Sequence, residues 1–197
     1  CCLVLHADHE LNASAFSARV TSSTLSGIYS SVMAAIGTLK GPLHGGANEQ
    51  VARMLLEIKS PDRLEAWLEA ALASGEKIMG FGHRVYKEGD PRAKILKAMS
   101  KEITRETGHP ELYEMSARLE ELMGQKKGLI CNVDFYSASV YYSMGIPIDL
   151  FTPVFATSRI AGWCAHVLEQ YQNNRIYRPR GSYVGPKGEV YTPIDER

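Results

Sequence analysis

Residues 41–49 read GPLHGGANE, a stretch in which a Gly-Pro pair and two further glycines surround a single histidine, His44. Helix-forming residues precede the stretch over 13–39 and follow it over 47–58. Because a Gly-Pro pair is typical of a helix end, we expect one helix to stop here and another to begin. Glycine also lets other groups approach closely, so we interpret these glycines as room for a ligand beside the His44 ring.

Helical patterns dominate the rest of the chain. In SPDRLEAWLEAALASG, residues 60–75, Ser60 is predicted to cap a helix that begins at Pro61 and ends at Gly75. The run 13–39 contains Gly27, where we expect a break. The pattern predicts an all-α protein. Its further helices are expected over 90–108, 109–124, 133–144 and 153–171, followed by an extended arm over 173–197 in which short strands can form.

The composition limits the classes of partner. Because 22 basic and 22 acidic side chains cancel, no overall field attracts nucleic acid or an anionic membrane, and local arginines must hold any anionic substrate. No apolar run approaches the ~20 residues of a membrane span. The four cysteines include no CxxC pair, which favours reduced thiols in a cytoplasmic protein. Without an initiator methionine or a signal sequence, the chain is expected to be the later part of a longer protein.

The motif HADHE places two histidines three residues apart near the start of the chain. If this segment is helical, His6 and His9 share one face, with Glu10 beside the second. Histidine and carboxylate side chains on a helix can bind zinc or iron. The spacing is not HExxH, however, and the motif is better explained by two histidines satisfied by hydrogen bonds in a packed interior. We therefore expect no metal site.

Two further motifs suggest polar chemistry in an otherwise apolar setting. His44 is expected at a helix start, where the helix dipole favours the neutral ring, and a neutral histidine can donate a hydrogen bond to a carbonyl that becomes an enolate. Asp134, in NVDFYS, begins an apolar helix. It is either a first-turn acidic residue that suits the dipole or a carboxylate base against an apolar wall. A structural loop histidine remains the alternative for His44.

The loop GFGHRVYKEGDPR, residues 80–92, combines glycines with concentrated positive charge. It lacks the GK[ST] of a P-loop and the GxGxxG of a dinucleotide site. It is either a backbone-lined site for an anion or a solvated turn. The basic side chains are His83, Arg84, Lys87 and Arg92.

These motifs occur together in one known family. The chain resembles the C-terminal half of bacterial and archaeal citrate synthases over essentially all 197 residues. The segments that carry the resemblance, in the same order and at similar distances, are HADHELNAS (6–14), GPLHGGANE (41–49), GFGHRVYKEGDPR (80–92), NVDFYS (132–137), FATSRIAGW (155–163) and RPRGSYVG (178–185).

The resemblance implies a citrate-synthase-like fold, in which a small helical domain is inserted in a large one. Residues 1–44 would form part of the large domain, 45–145 the small domain, and 146–197 the return to the large domain with a C-terminal arm. The N-terminal part of the large domain would be missing. The family forms homodimers, and the active site lies between the two domains.

The resemblance also implies roles for individual residues. Asp134 would remove a proton from the methyl group of acetyl-CoA, His44 would stabilise the enol, and His83 would polarise the ketone of oxaloacetate. Asn12 and Ser14 would support the histidines. His9, Arg92, Arg159 and, from the other subunit, Arg178 would hold the oxaloacetate carboxylates, and Gly80, Phe81, Gly82 and Lys127 would contact coenzyme A.

The implied reaction joins acetyl-CoA, oxaloacetate and water into citrate and coenzyme A, a step of the tricarboxylic acid cycle. Coenzyme A enters as a substrate thioester, and no permanently bound cofactor is expected. Three alternatives remain open from the residues: a 2-methylcitrate synthase that uses propionyl-CoA, a non-catalytic helical fragment, and a metal-dependent hydrolase built on His6, His9 and Glu10. The chain alone is expected to be weakly active or inactive.

Overall fold

The structure, a computed structural model, describes residues 1–86 and 88–197 and is built from helices. In that part of the chain there is no β-strand, only isolated bridges between His9 and Leu11 and between Phe81 and Cys131. None of the described helices is long and apolar enough to cross a bilayer. The helices are α1 Cys2–His6, α2 Ala13–Ser23, α3 Ile28–Leu39, α4 Ala47–Ile58, α5 Leu64–Ala73, α6 Pro91–Glu106, α7 Pro110–Lys127, α8 Val133–Ser143 and α9 Phe151–Gln172, with 3₁₀ turns at Pro61–Arg63, Ile148–Leu150 and Ile194–Glu196.

Helix α8 is central to the larger hydrophobic core. It packs against α4, α6 and α7, and most of its side chains are buried, among them Phe135, Tyr136 and Val140. A helix that is apolar on all sides is typical of one surrounded by other helices. This packing fixes the first turn of α8, which carries Asp134.

A smaller core forms where α2 and α3 pack against α9. Small side chains such as Ala15 and Ala18 let the helices approach closely around the buried ring of Trp163. The indole N–H of Trp163 donates to Ser14 Oγ at 3.0 Å. This core therefore holds the start of α2 against α9, the helix that carries Arg159.

The helix predictions are confirmed to within a few residues, except at Ser60 and at the end of α7, which continues past the predicted Gly124 to Lys127 because Gly128 supplies the left-handed C-cap. Helix α4 spans the predicted 47–58, and Gly27, at φ 93°, separates α2 from α3. Ser60 makes no side-chain capping hydrogen bond, and a 3₁₀ turn precedes α5. The predicted cap is wrong because the N–H of Arg63 donates to the backbone oxygen of Ser60 at 3.2 Å, which closes the turn without the hydroxyl.

The C-terminal arm is extended, as predicted, and mostly exposed, but it forms no strand anywhere in 173–197, all of which the structure describes. Its first residues follow the end of α2. There Asn174 Nδ2 donates to Ser23 O at 3.0 Å, and the N–H of Tyr177 donates to Ser23 Oγ at 3.1 Å. The strand prediction is wrong because the arm runs past helices, which offer no free backbone edge for pairing.

Candidate active site

One cavity of about 260 Å³ collects most of the residues singled out from the sequence. Four helices begin at its wall: α2 with its cap Asn12, α4 with Ala47, α6 with Arg92 and α8 with Asn132. The unpaired N–H groups at the start of a helix carry partial positive charge. A cavity at which four helices begin therefore favours a negatively charged ligand. The predicted site residues that line the cavity are His9, His44, Gly80, Phe81, Gly82, His83, Arg92, Asp134 and Arg159.

Asp134 lies in the first turn of α8 with a buried carboxyl oxygen. Asn132 Oδ1 accepts the N–H of Asp134 at 3.1 Å and so caps the helix. Asp134 Oδ1 is buried and has no hydrogen-bond partner among residues 1–86 and 88–197. Burial raises the pKa of this carboxyl to about 7, although the charges of Arg92 and Arg159 act in the opposite direction. The group can therefore accept and release a proton near neutral pH.

His44 lies in the turn between α3 and α4, and its tautomer follows from its neighbours. The backbone N–H of Ser14, which can only donate, lies 3.3 Å from His44 Nε2, and Ser14 Oγ lies 2.8 Å from the same nitrogen. Because Nε2 is the acceptor, we assign the proton to Nδ1. Burial, and next the charge of Arg159, lower the pKa of His44 to about 4. The ring is thus a neutral hydrogen-bond donor at physiological pH.

The glycines beside His44 have a different origin from the one interpreted from the sequence. A Cβ atom on Gly45 would lie 2.5 Å from Leu39 Cγ and 2.8 Å from the Leu39 backbone oxygen. A Cβ on Gly46 would lie 3.0 Å from the Lys40 oxygen. These glycines therefore let the turn close against the end of α3, and that packing places the His44 ring.

His83 presents the opposite tautomer. Its Nδ1 accepts the backbone N–H groups of Val85 at 3.1 Å and Tyr86 at 2.9 Å. We therefore assign the proton of the neutral ring to Nε2. The turn 83–86 thus fixes the orientation of the imidazole and makes Nε2 a donor.

Arg92 is held by the residue that caps its own helix. Asp90 accepts from Arg92 Nε at 3.0 Å and from Arg92 Nη2 at 2.7 Å, and it also caps α6 through the N–H of Arg92. Burial acts to raise the pKa of the Asp90 carboxyl, but the hydrogen bonds and charge of Arg92 outweigh it and hold this pKa below its ordinary value. The guanidinium is therefore fixed before any ligand binds.

Arg159 is buried on α9. Its Nε donates to the His6 backbone oxygen at 2.6 Å, and its guanidinium lies 4.7 Å from the centre of the Phe155 ring. Burial, and next the charge of Arg92, lower the pKa of Arg159 to about 10, so the side chain stays charged at neutral pH. Its Nη1 is buried and makes no hydrogen bond to any residue that the structure describes, and the same holds for His9 Nε2. Both atoms suit the carboxylates of a small anionic ligand.

The first two histidines do not share a helical face, so that prediction is wrong. Helix α1 ends at His6, whose Nδ1 lies 2.8 Å from the Cys2 oxygen. The backbone then leaves the helix, because Ala7 O accepts the N–H of Gly162 at 3.1 Å, and His9 lies in the following loop. Over residues 1–86 and 88–197, no group of three or more His, Cys, Asp or Glu side chains is arranged to hold a metal.

Two predicted residues lie away from the cavity. Lys127 is exposed at the last position of α7. Arg178 is exposed on the arm, where its Nη1 donates to the Pro179 oxygen at 3.0 Å. Arg84 does line the cavity. Lys87, the remaining basic residue of that loop, lies outside the described residues.

Sequence reasoning missed three residues of the site. Asn132 caps α8, and its Nδ2 also donates to the Gly82 oxygen at 3.1 Å, so it links the glycine loop to Asp134. Asp90 holds Arg92, and Phe155 lines the cavity beneath Arg159. An Asn directly before a helix signals a cap. Its second hydrogen bond joins residues fifty positions apart, so no local pattern reveals it.

The chain matches known proteins over its whole length. A family model for the C-terminal domain of citrate synthase matches residues 1–180. Citrate synthase 2 of Bacillus subtilis (strain 168) is 62% identical over 195 residues, which are 99% of this chain and 52% of that protein. The 2-methylcitrate synthase of Shewanella oneidensis is 49% identical over 195 residues, again 99% of this chain and 52% of that protein.

A solved structure agrees with the sequence matches. Citrate synthase of Thermoplasma acidophilum, in a ternary complex with carboxymethyl coenzyme A and oxaloacetate, is 43% identical and superposes with a TM-score of 0.91 over 100% of this chain and 54% of that one. The present chain thus spans about half the length of the relatives it matches. The all-helical fold is confirmed, and the chain belongs to the citrate synthase family.

Proposed function

We propose that this chain carries the active site of an enzyme that condenses acetyl-CoA with oxaloacetate and water to give citrate and coenzyme A. The observation that carries the proposal is Asp134, a carboxyl group with a pKa of about 7. It lines one cavity together with neutral His44 and two arginines. Relatives that cover 99% of this chain are citrate synthases.

Oxaloacetate is the anionic substrate in this proposal. Arg92 and Arg159 bind its two carboxylates, since a planar guanidinium can donate two parallel hydrogen bonds to each. His9 Nε2, buried and unpartnered, provides a further contact. The Nε2–H of His83 donates to the ketone oxygen and makes the ketone carbon more electrophilic.

Asp134 and His44 act on the second substrate. The Asp134 carboxylate takes a proton from the methyl group of acetyl-CoA, while His44 Nδ1–H donates to the thioester oxygen as negative charge develops there. The resulting enol carbon attacks the ketone carbon of oxaloacetate, and water then hydrolyses the thioester. A positioned acid or base of this kind contributes about 10²–10⁴-fold in rate.

The glycine loop is the proposed contact for coenzyme A. Gly80, Phe81 and Gly82 line the cavity, and the loop is tied to α8, because the N–H of Asn132 donates to Gly80 O at 2.9 Å. Lys127 is the proposed partner of a phosphate group. As a compact, exposed charge at a helix end it suits a phosphate that lies outside the cavity.

The assembly is proposed to be a homodimer in which Arg178 reaches the active site of the other subunit. Two observations support this. Arg178 is exposed on an extended arm, and α3 carries an apolar face whose Tyr29 and Met33 are 86% and 72% exposed. An exposed apolar helix face of this kind is typical of a protein contact. The cytoplasmic location is also a proposal, supported by the free state of all four cysteines.

The proposed domain division keeps the predicted boundaries, with 1–44 and 146–197 in the large domain and 45–145 in the small one. The two hydrophobic cores support it. One is formed mainly by residues of α4 to α8, and the other by α2, α3 and α9. The cavity lies between them, lined by His9 and Arg159 on one side and by Arg92 and Asp134 on the other.

Condensation of propionyl-CoA to 2-methylcitrate is the second candidate. The Shewanella oneidensis relative, a 2-methylcitrate synthase, is 49% identical over 99% of this chain. The two acyl groups differ by one methylene, which a pocket discriminates by about 1–3 kcal/mol.

Thiol release in the presence of oxaloacetate tests the proposal. The assay is run with acetyl-CoA and with propionyl-CoA, on the 197-residue chain and on a protein of the relatives' full length that contains it. We expect release by the longer protein, faster with acetyl-CoA, and weak or no release by the chain alone. No release by the folded longer protein with either thioester would overturn the proposal.

A further inference from the structure

Tyr86 contacts three of the proposed oxaloacetate-binding residues although it does not line the cavity itself. Its ring centre lies 4.6 Å from that of His83 and 5.4 Å from that of His9. The guanidinium carbon of Arg92 lies 6.0 Å from the centre of the same ring. The tyrosine therefore supports these side chains from behind the cavity wall.

The rings of Tyr86, His9 and His83 each contact the other two. The rings of His9 and His83 also meet each other, edge to face, with their centres 5.1 Å apart. The backbone N–H of Tyr86 donates to His83 Nδ1, the bond that leaves the proton on Nε2. His9 comes from the loop before α2, His83 from the glycine loop and Arg92 from α6, so the ring joins three separate segments.

Within residues 1–86 and 88–197, the ring–ring and cation–π contacts of Tyr86 are confined to the proposed oxaloacetate-binding residues. It is half-buried and belongs to neither hydrophobic core. Its ring contacts are with His9, His83 and Arg92. Edge-to-face ring pairs and cation–π contacts each change an equilibrium constant by about two- to tenfold. Loss of the ring is therefore expected to loosen the binding residues without unfolding the protein.

We propose that Tyr86 is a positioning residue for oxaloacetate, which orients His9, His83 and Arg92 so that they bind the substrate together. This inference rests on the proposed function. The acyl-CoA contacts, at Gly80, Phe81 and Gly82, lie in the preceding part of the loop and are held by α8 rather than by Tyr86. The proposed positioning role of Tyr86 therefore concerns oxaloacetate and not the acyl-CoA.

The test compares Tyr86→Ala with Tyr86→Phe in the full-length enzyme. Tyr86→Ala removes the ring but keeps the backbone N–H that binds His83. We expect the KM and the directly measured Kd for oxaloacetate to rise about tenfold, while the KM for acetyl-CoA changes less than about twofold. Tyr86→Phe keeps the ring and is expected to retain most of the affinity for oxaloacetate.

Tyr142→Ala is the control for loss of a half-buried tyrosine ring away from the cavity, although Tyr142, unlike Tyr86, packs against the larger core. Tyr142 is also half-buried and also meets a histidine edge-on, His109 at 5.8 Å, but neither residue lines the cavity. This variant is expected to leave both KM values unchanged. An unchanged oxaloacetate KM in Tyr86→Ala, or equal increases in both KM values, would overturn the inference while wild-type turnover still supports the proposed function. Absence of turnover in the wild type would instead overturn the function.

Discussion

Asp134 lies at the start of a helix packed on all sides. One of its carboxyl oxygens is buried and accepts no hydrogen bond from the described part of the chain. The unfolded chain exposes this carboxyl group to water, where its pKa is near 3.8, whereas in the folded protein the pKa is about 7. Burial of the charged form costs folding free energy, and the same burial gives the carboxylate the basicity that proton abstraction needs. If Asp134 is the base of the proposed reaction, catalysis and stability make opposite demands on this residue.

The first prediction concerns stability. The pKa of the Asp134 carboxyl is higher in the folded protein than in the unfolded chain, so the folded protein holds this proton more tightly. The free energy of unfolding is therefore highest below about pH 4 and decreases as the pH rises from about 4 to about 7. Asp134→Asn, which has no charge to bury, should be more stable than the wild type at pH 8 by about 1–2 kcal/mol, with a smaller gain at pH 4. Denaturant unfolding at both pH values measures this. A variant less stable at pH 8 would contradict the assigned burial of charge.

The second prediction concerns the pH dependence of turnover. The base must be deprotonated, so kcat/KM, which reports the pKa of the unliganded site, should fall about tenfold per unit as the pH decreases below about 7. His44, with a pKa of about 4, stays neutral throughout this range and adds no second step there. Steady-state rates at acyl-CoA concentrations well below KM, measured between pH 5 and 9, provide the profile. A flat profile down to pH 5 would show that no group with the pKa of Asp134 limits the reaction.

At the scale of the elements, the glycine loop and α8 form one unit. Gly80, at φ +82°, fits so closely that a Cβ would lie 2.8 Å from side-chain atoms of Phe135 and Val51. The Phe81 and Phe135 rings are 4.6 Å apart, and Asn132 bonds the loop at Gly80 and Gly82. The position of the loop is therefore coupled to the helix that carries Asp134.

The third prediction tests this coupling. Gly80→Ala should cost about 2–4 kcal/mol of folding free energy, because backbone strain at positive φ adds to the collision with α8. Gly75→Ala is the matched control: it has φ +75° but nothing within 4 Å of the added Cβ, so only the strain of about 1 kcal/mol remains. Thermal and denaturant unfolding compare the two. Equal losses would mean that the close approach to α8 contributes nothing.

The sequence predicted elements better than contacts between elements. The limits of α4 follow from local signals, because glycines precede it and its apolar residues recur at helical spacing. The hydroxyl of Ser60 failed as a cap because the backbone alone closes that turn. The hydrogen bond from Asn132 to Gly82 joins residues far apart in the sequence, and only the packed fold brings them together.

At the scale of the whole molecule, the site residues were identified by resemblance, and the fold assembles most of them. The elements that carry His9, His44, His83, Asp134 and Arg159 meet because α8 and α9 each pack against several other helices. Composition indicated only that local arginines must hold an anion. Arg178 remains a prediction, since the described chain keeps it on an exposed arm.

The fourth prediction tests the shared active site. Arg178→Ala and Asp134→Asn should each be inactive alone. When the two are co-expressed in equal amounts, about half of the dimers are mixed, and one of their two sites then contains neither substitution. About one quarter of wild-type activity should return, as measured by thiol release. If mixing restores nothing although mixed dimers form, Arg178 does not act across the interface.

The most direct test of the account is Asp134→Asn in the full-length enzyme, assayed both for thiol release with acetyl-CoA and for binding of oxaloacetate. The account predicts a loss of turnover of at least about 10²-fold, because the base is gone. The Kd for oxaloacetate should change less than about threefold, because the arginines and histidines that bind it remain in place. Retained turnover, or a parallel loss of turnover and binding, would contradict the role of Asp134 as the base.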